Sequence, residues 1–262
     1  MSITSYKTGN ISPSSLLVGN TAAPPSSPVA GYSLWLDADN AASFTYSSGT
    51  SVSQWTDRSG NAYAFTQATS TAQPNRNGSL NGKSTVTFDG GDRLASTAAS
   101  SVWKYLSDGS TATVFFVAKR TGGAYLAGTQ VSDSTQVGIT FEYDSGTSFS
   151  TYSMRGVSGN ITSANVAITN NSWNVFSIYL DQSNATTANK VKLYVGDASA
   201  ATATGAYTPS SSNPQHTLYI GANSSGGYAL TGEVAEILIY TSLLSETNRQ
   251  LNVDYLQGKW GV

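Results

Sequence analysis

Fifteen Asp and Glu residues in a chain of 262 are few enough to weigh one pair at a time. Glycosidic bonds are cleaved by two carboxyl groups, about 5–5.5 Å apart for retention and about 6.5–9.5 Å for inversion. On a strand, that requires same-face positions two or four residues apart. Glu142 and Asp144 have the spacing but are expected to run off a strand into a turn. Asp37 and Asp39 share a face at the end of a first strand and read as turn caps, while Glu233 and Glu236, three apart, are expected on opposite faces. One histidine, His216, no cysteine and no Gly-x-Ser-x-Gly elbow exclude a Cys nucleophile, a multi-His or thiolate metal site and the serine-hydrolase triad. The chain is therefore expected to have no catalytic residues and to be no enzyme. No cofactor is expected either. Ca²⁺ is the one ion for which hard oxygen ligands are in supply, on Asp37, Asp39 and Asn40 or on Asp57 and Asn61, although no EF-hand loop is present.

Two other groups of residues suit binding. Tyr125, Tyr152, Tyr207 and Tyr228 fall in Gly/Ser-rich loops, where an exposed ring can stack on a sugar beside Asn, Asp and Gly hydrogen-bonding groups. Ile3, Tyr6, Ile11, Leu16, Leu17 and Val18 are spaced along a segment without strand or helix periodicity, and read as anchors on a partner. The extended stretch Ala22 to Pro28 follows them, so residues 1–31 are assigned to an arm and linker and residues 32–262 to one domain. Residues 1–30 are expected to add little to the stability of that domain.

The elements that must carry these residues are strands. Charged residues make up only 11%, against roughly 25% in an average soluble protein. Fifteen Tyr, eight Phe and five Trp nevertheless supply a core, and 25 Gly suit many tight turns. Alternation places Val137, Ile139, Phe141 and Tyr143 on one face, as it does Phe176, Ile178 and Leu180, and Val191, Leu193 and Val195, with Lys190 and Lys192 turned to solvent. Further strands are read at Ser33–Leu36, Ser84–Phe88, Thr113–Val117, Leu218–Ile220 and Val234–Tyr240. Turns are read at Asp57–Asn61, Asn77-Gly78, Asn81-Gly82, Asp89–Gly91 and Ser224–Gly227. Only the carboxyl end reads as helix, capped by Ser245 and stopped at Gly258, with Leu244, Leu251 and Tyr255 facing the sheet.

A net charge of −2 offers no field for nucleic acid or anionic lipid, and no apolar run is long enough for a membrane-spanning helix. The first twenty residues lack the apolar core of a Sec signal. A hydroxyl-rich, Cys-free surface protein without such a signal fits a virion, assembled inside a host and freed by lysis, or an unconventional secretion route.

Leu34-Trp35-Leu36-Asp37-Ala38-Asp39, then Val52 to Asn61 with Trp55, Asp57, Ser59 and Gly60, resemble the opening of concanavalin A-like/laminin-G-like jelly rolls of bacterial and phage surface proteins. Gln73-Pro74, Val86 to Gly90, Gly232 to Tyr240, Leu244 to Glu246, Arg249 and Tyr255 to Trp260 continue the match. The resemblance spans about residues 32–262 and implies a two-sheet antiparallel all-β jelly-roll sandwich, with a short C-terminal helix and an extended N-terminal arm. Trp35 and Trp55 are expected between the sheets. The arm is similar to the starts of some tailed-phage virion proteins. The expected role is accordingly a virion accessory protein, a capsid decoration protein that binds major capsid or tail proteins and self-associates. The rival readings are a lectin-like adhesin or tail-fibre module for host surface glycans, at the virion or a cell surface, and last a glycoside hydrolase.

Overall fold

The computed structural model describes residues 23–131, 137–144, 147–154, 161–163, 166–205 and 207–262, with the backbone alone for 152–154 and 161–163. In chain order the first nine strands are β1 (Leu34–Asp37), β2 (Phe44–Ser48), β3 (Ser51–Thr56), β4 (Ala64–Thr66), β5 (Asn75–Leu80), β6 (Lys83–Asp89), β7 (Leu94–Ser96), β8 (Thr111–Gly122) and β9 (Tyr125–Gly128). The others are β10 (Gly138–Asp144), β11 (Ser148–Met154), β12 (Ile161–Ser163), β13 (Val166–Ala167), β14 (Trp173–Asp181), β15 (Val191–Val195), β16 (Ala201–Thr204), β17 (Tyr219–Ile220) and β18 (Thr231–Tyr240). Helices are α1 (Thr187–Lys190) and α2 (Glu246–Trp260).

The named strands pair antiparallel throughout. In the back sheet β18 is the hub: β6 and β1 share one of its edges, and β8, β14, β15 and β16 follow on the other. The front sheet runs β2–β3–β4–β7–β17–β9–β10–β11, with β12 and β13 on its edge. This is the expected all-β sandwich with a C-terminal helix. Between the sheets lie Ile139, Phe141, Phe176, Ile178, Leu180, Val191 and Leu193, all fully buried. Phe149 stacks on Phe176 at 4.1 Å, and Phe116 meets Phe141 at 5.2 Å. The period-2 readings hold because directly opposed residues share a face, so each strand's alternation is reinforced by its neighbour's.

Four local readings are corrected. Asn77-Gly78 lies inside β5, where Gly78 makes room for the Glu233 carboxylate, whereas Asn81 (φ 49°) and Gly82 (φ 75°) form the turn into β6. Trp55 sits between the sheets, but Trp35 alternates with Leu34 and Leu36 and therefore faces outward, under α2. Val137 and Val195 are only half-buried, and Lys190 belongs to α1, its ammonium donating to the Gln182 carbonyl at 2.7 Å. The turn at Asp57–Asn61 is as read, with Asp57 accepting the Ser59 N–H at 2.9 Å and Gly60 at φ 97°.

Helix α2 covers the outer face of the back sheet. Ser245 caps it by accepting the Asn248 N–H at 3.2 Å; the helix continues through Gly258 and stops at Gly261, in the left-handed region at φ 70°. Its buried side is Arg249, Asn252, Val253, Tyr255, Leu256 and Trp260, while Leu251 faces solvent. Two polar residues inside that seam defeat a reading based on apolar spacing. Arg249 donates to Ser177 and Glu246, and lies 4.1 Å over the Tyr194 ring. Asn252 accepts the Val29 N–H at 2.8 Å, and Tyr240 donates to the Val29 carbonyl at 2.6 Å. Pro28 is buried as well. Residues 28 and 29 therefore contribute to the body, and removing them would leave Tyr240 and Asn252 without these partners.

The core assignment predicts that Phe141→Ala or Leu193→Ala lowers unfolding free energy by about 2–5 kcal/mol in urea titrations, with the slope unchanged. A loss below about 1 kcal/mol at both positions would contradict it.

Candidate binding site

Three aromatic residues, a lysine and a carboxylate assemble where β1, β18 and α2 meet. Glu236 is fully buried, and its two oxygens accept four donors. Trp35 Nε1 and Tyr255 Oη donate to Oε1 at 2.7 and 2.9 Å, and Lys259 Nζ and Trp260 Nε1 donate to Oε2 at 2.7 Å each. Burial raises the Glu236 pKa, and the nearby Asp37 carboxylate adds to this while Lys259 opposes it. Asp37, directly opposite on β1, pairs with Lys259 at 2.8 Å and with Arg58, which lies 4.0 Å over the Trp35 ring. A cleft of about 640 Å³ opens beside this cluster, lined by Pro24, Trp35, Asp37, Arg58, Lys83 and Lys259 among others. Its charges are satisfied internally, Lys83 by Asp39 at 3.6 Å, and the Glu236 lone pairs are taken, so the assembly serves to fasten α2 to the sheet.

The other carboxylates depart from their expected places. A bulge between Val234 and Glu236 sets Glu233 opposite Lys119 and Glu236 opposite Val117. Residues 117 and 119 share a face, so Glu233 and Glu236 do too, and the spacing of three misleads. Glu233 is engaged by Lys119 and Thr85. Glu142 and Asp144 both lie within β10, Asp144 as its last residue, so this same-face pair does not run off the strand as expected. Asp57 accepts the Trp35 and Ser59 N–H groups, Asn61 donates to the Ser33 carbonyl at 2.8 Å, and Asn40 donates to Ser43. Among the described residues no three acidic or histidine side chains converge on a point. His216 is half-buried, with burial lowering its pKa, and meets the edge of Tyr219.

The four tyrosines separate sharply. Tyr125 is fully buried, its hydroxyl donating to the Gln130 carbonyl at 3.0 Å, and Tyr207 is 5% exposed with its hydroxyl on the Ser107 carbonyl. Neither ring can stack on a sugar, which corrects the expectation for both. The Tyr152 side chain, and the arm residues Ile3, Tyr6, Ile11, Leu16, Leu17 and Val18, lie outside the described residues. Tyr228 is 60% exposed.

Tyr228 stands on a rim made by three Gly-rich connections: Gly90 to Arg93 after β6, Gly123-Ala124 after β8, and Gly221 to Leu230 before β18. Gly123 (φ 70°) brings the second connection so near the third that a Cβ there would lie 1.8 Å from the Ala229 carbonyl oxygen. Asn223, almost wholly buried, organises the turn: its Oδ1 accepts Ser225 N–H, Ser225 Oγ and Gly227 N–H at 3.1, 2.7 and 2.8 Å. The Tyr228 carbonyl accepts the Ala124 and Tyr125 N–H groups at 3.1 and 2.9 Å. These bonds hold Tyr228 at φ 56°, a left-handed conformation costing roughly 1–3 kcal/mol in a non-Gly residue. The ring is thus presented from a fixed backbone. Beneath the rim, Asp92 is buried and accepts the Asp89 N–H at 2.9 Å. Burial pushes its pKa up to about 7, with the Asp89 N–H bond opposing the rise and the Asp89 side chain adding to it.

Residues 80–248 match the laminin G-type model of the concanavalin A-like lectin/glucanase superfamily, and the chain belongs to that superfamily. No curated protein matches the chain by sequence. Among solved structures it is similar to Trypanosoma rangeli sialidase in complex with 2,3-difluoro-KDN, at 14% identity and a TM-score of 0.55 over 91% of this chain and 36% of that one. It is also similar to the CBM40 domain of Ruminococcus gnavus IT-sialidase bound to α2,3-sialyllactose, at 12% identity and a TM-score of 0.43 over 55% and 82%. The chain spans about a third of the length of the T. rangeli enzyme, and at these identities the likeness concerns the fold.

Two outcomes follow from the buried acids. Glu236→Gln turns an amide donor toward donors and leaves Lys259 short of a partner, so it should cost about 3–5 kcal/mol of unfolding free energy; a loss under about 1 kcal/mol would contradict the fastening role. Asp92 holds its proton more tightly folded than unfolded, so its burial lowers stability as pH rises from about 4 through about 7. Asp92→Asn should match the wild type near pH 4 and exceed it by about 2–4 kcal/mol at pH 8. Parallel stability curves for the two proteins would refute this.

Proposed function

We propose that this protein is a non-catalytic binding module whose rim holds a surface glycan, with Tyr228 as the stacking platform. The observation that carries the reading is the Tyr228 ring, 60% exposed on a backbone fixed from both sides. A preorganised aromatic loses little conformational entropy when a sugar's apolar face settles on it. Asp89 and the Gly-rich backbone beside it supply hydrogen-bonding groups of the kind a sugar's hydroxyls need. Catalysis is no part of the reading: Glu236, Asp37 and Glu233 are tied to cations and N–H or O–H donors, and Glu142 lies beside the buried Tyr125 on β10.

A virion accessory role is the second reading, favoured by where the described chain enters. Pro24 lines the cleft beside Asn81 and Lys83, at the start of β6, and the rim lies at its far end, about 20 Å away at the usual rise of a strand. An arm bound to capsid or tail proteins through Ile3 to Val18 would leave the rim facing outward. The two readings are compatible, and particle association of a chain lacking residues 1–22 tests the arm by itself.

Glycan-array and calorimetric binding, paired with a hydrolysis assay on the same glycans, test the primary reading. The wild type should bind without turnover, and Tyr228→Ala should weaken binding at least tenfold at unchanged melting temperature. Binding untouched by Tyr228→Ala, or turnover abolished by Glu142→Gln, would overturn it.

A further inference from the structure

Arg93 occupies the same rim as Tyr228. Its Nη1 lies 2.4 Å from where a Cβ on Gly226 would stand, two residues before Tyr228 in the turn, so the guanidinium rests directly on the backbone that carries the ring. Gly226, at φ 82°, is what allows this approach. The other arginines of the described residues all have partners: Arg58 is held by Asp37, Arg76 by the Ala38 and Asp39 carbonyls, Arg120 by Gly123 and Asn170, and Arg249 by Glu246 and Ser177. The Arg93 side chain has no ion pair or hydrogen bond among the described residues, and it is only half-buried. The neighbouring Asp92 does not neutralise it. Burial drives that carboxyl up, and its hydrogen bond comes from the Asp89 N–H at 2.9 Å.

A guanidinium is a planar fork of donors that matches a carboxylate in a bidentate manner, and it is most effective where no internal acid already occupies it. An aromatic ring beside such a fork can take the apolar face of the sugar that bears the carboxylate. We propose that Arg93 and Tyr228 form a subsite for acidic sugars, the carboxylate seated on Arg93 and the pyranose ring against Tyr228. This rests on the glycan-binding reading above and narrows it to a ligand class, that of carboxylated saccharides.

The test compares oligosaccharides containing uronic or sialic acid with their methyl esters, which keep the ring and remove the charge. Binding of both sets is measured by calorimetry for the wild type, Arg93→Gln, Arg93→Lys and Tyr228→Ala. The wild type should prefer an acid over its ester by about tenfold or more, as expected for a charge-assisted bidentate contact. Arg93→Gln should bind acid and ester alike, at the wild type's affinity for the ester. Arg93→Lys should fall between, and Tyr228→Ala should lose both ligands. The acid–ester comparison on the wild type needs no variant and stands even if one fails to fold. Equal binding of acid and ester by the wild type, or full acid binding by Arg93→Gln, overturns the subsite while leaving the glycan reading intact. Absence of binding to every acidic and neutral glycan overturns both.

Discussion

Glu236 is the interaction on which the arrangement of this molecule depends. A buried carboxylate is costly unless its oxygens are satisfied, and here four donors from two other elements converge on it. Trp35 comes from β1, Tyr255, Lys259 and Trp260 from α2, and the carboxylate itself from β18. No two of these elements can shift without breaking charged hydrogen bonds. The bulge at Ala235 is part of the same device, because it turns Glu236 to the outer face that α2 covers. The consequence reaches beyond the seam. With β18 fixed along its length and β6 paired to its first residues, the connections leaving both strands are anchored, and these include two of the three that build the rim.

The sandwich was readable from the sequence wherever the signal was local. Ile139, Phe141 and Tyr143 alternate on a single strand, and Asp57, Ser59 and Gly60 form their turn with near neighbours. The missed features are all set by distant partners. Nothing around Glu236 announces a bulge, since the displaced register exists only against β8. Arg249 and Asn252 look like a helix's solvent side until Ser177 and Val29 are brought to them. The same holds for the tyrosines: Tyr125, Tyr207 and Tyr228 sit in comparable Gly/Ser-rich surroundings, yet the fold buries two and exposes one. Turn composition identifies a loop without saying which way its side chains point.

On the proposed function, stability and binding lie in different parts of one body. The Glu236 seam is saturated and closed, with its charges cancelled pairwise. On the rim are an exposed ring at a strained backbone position and an arginine with no ion pair or hydrogen bond among the described residues, features that a purely structural loop does not need. Jelly-roll sandwiches serve many roles, so the family supplies the scaffold and the rim has to supply the function.

Mapping the bound ligand on the protein tests this most directly. In a titration of isotope-labelled protein with an acidic oligosaccharide, followed by backbone amide NMR, concerted shifts should be confined to residues 89–93, 122–124 and 223–228, with the Trp35 and Trp260 indole resonances unmoved. Shifts centred instead on Glu142 and Tyr219 of the front sheet, or on Arg58, Lys83 and Lys259 of the cleft, would contradict it.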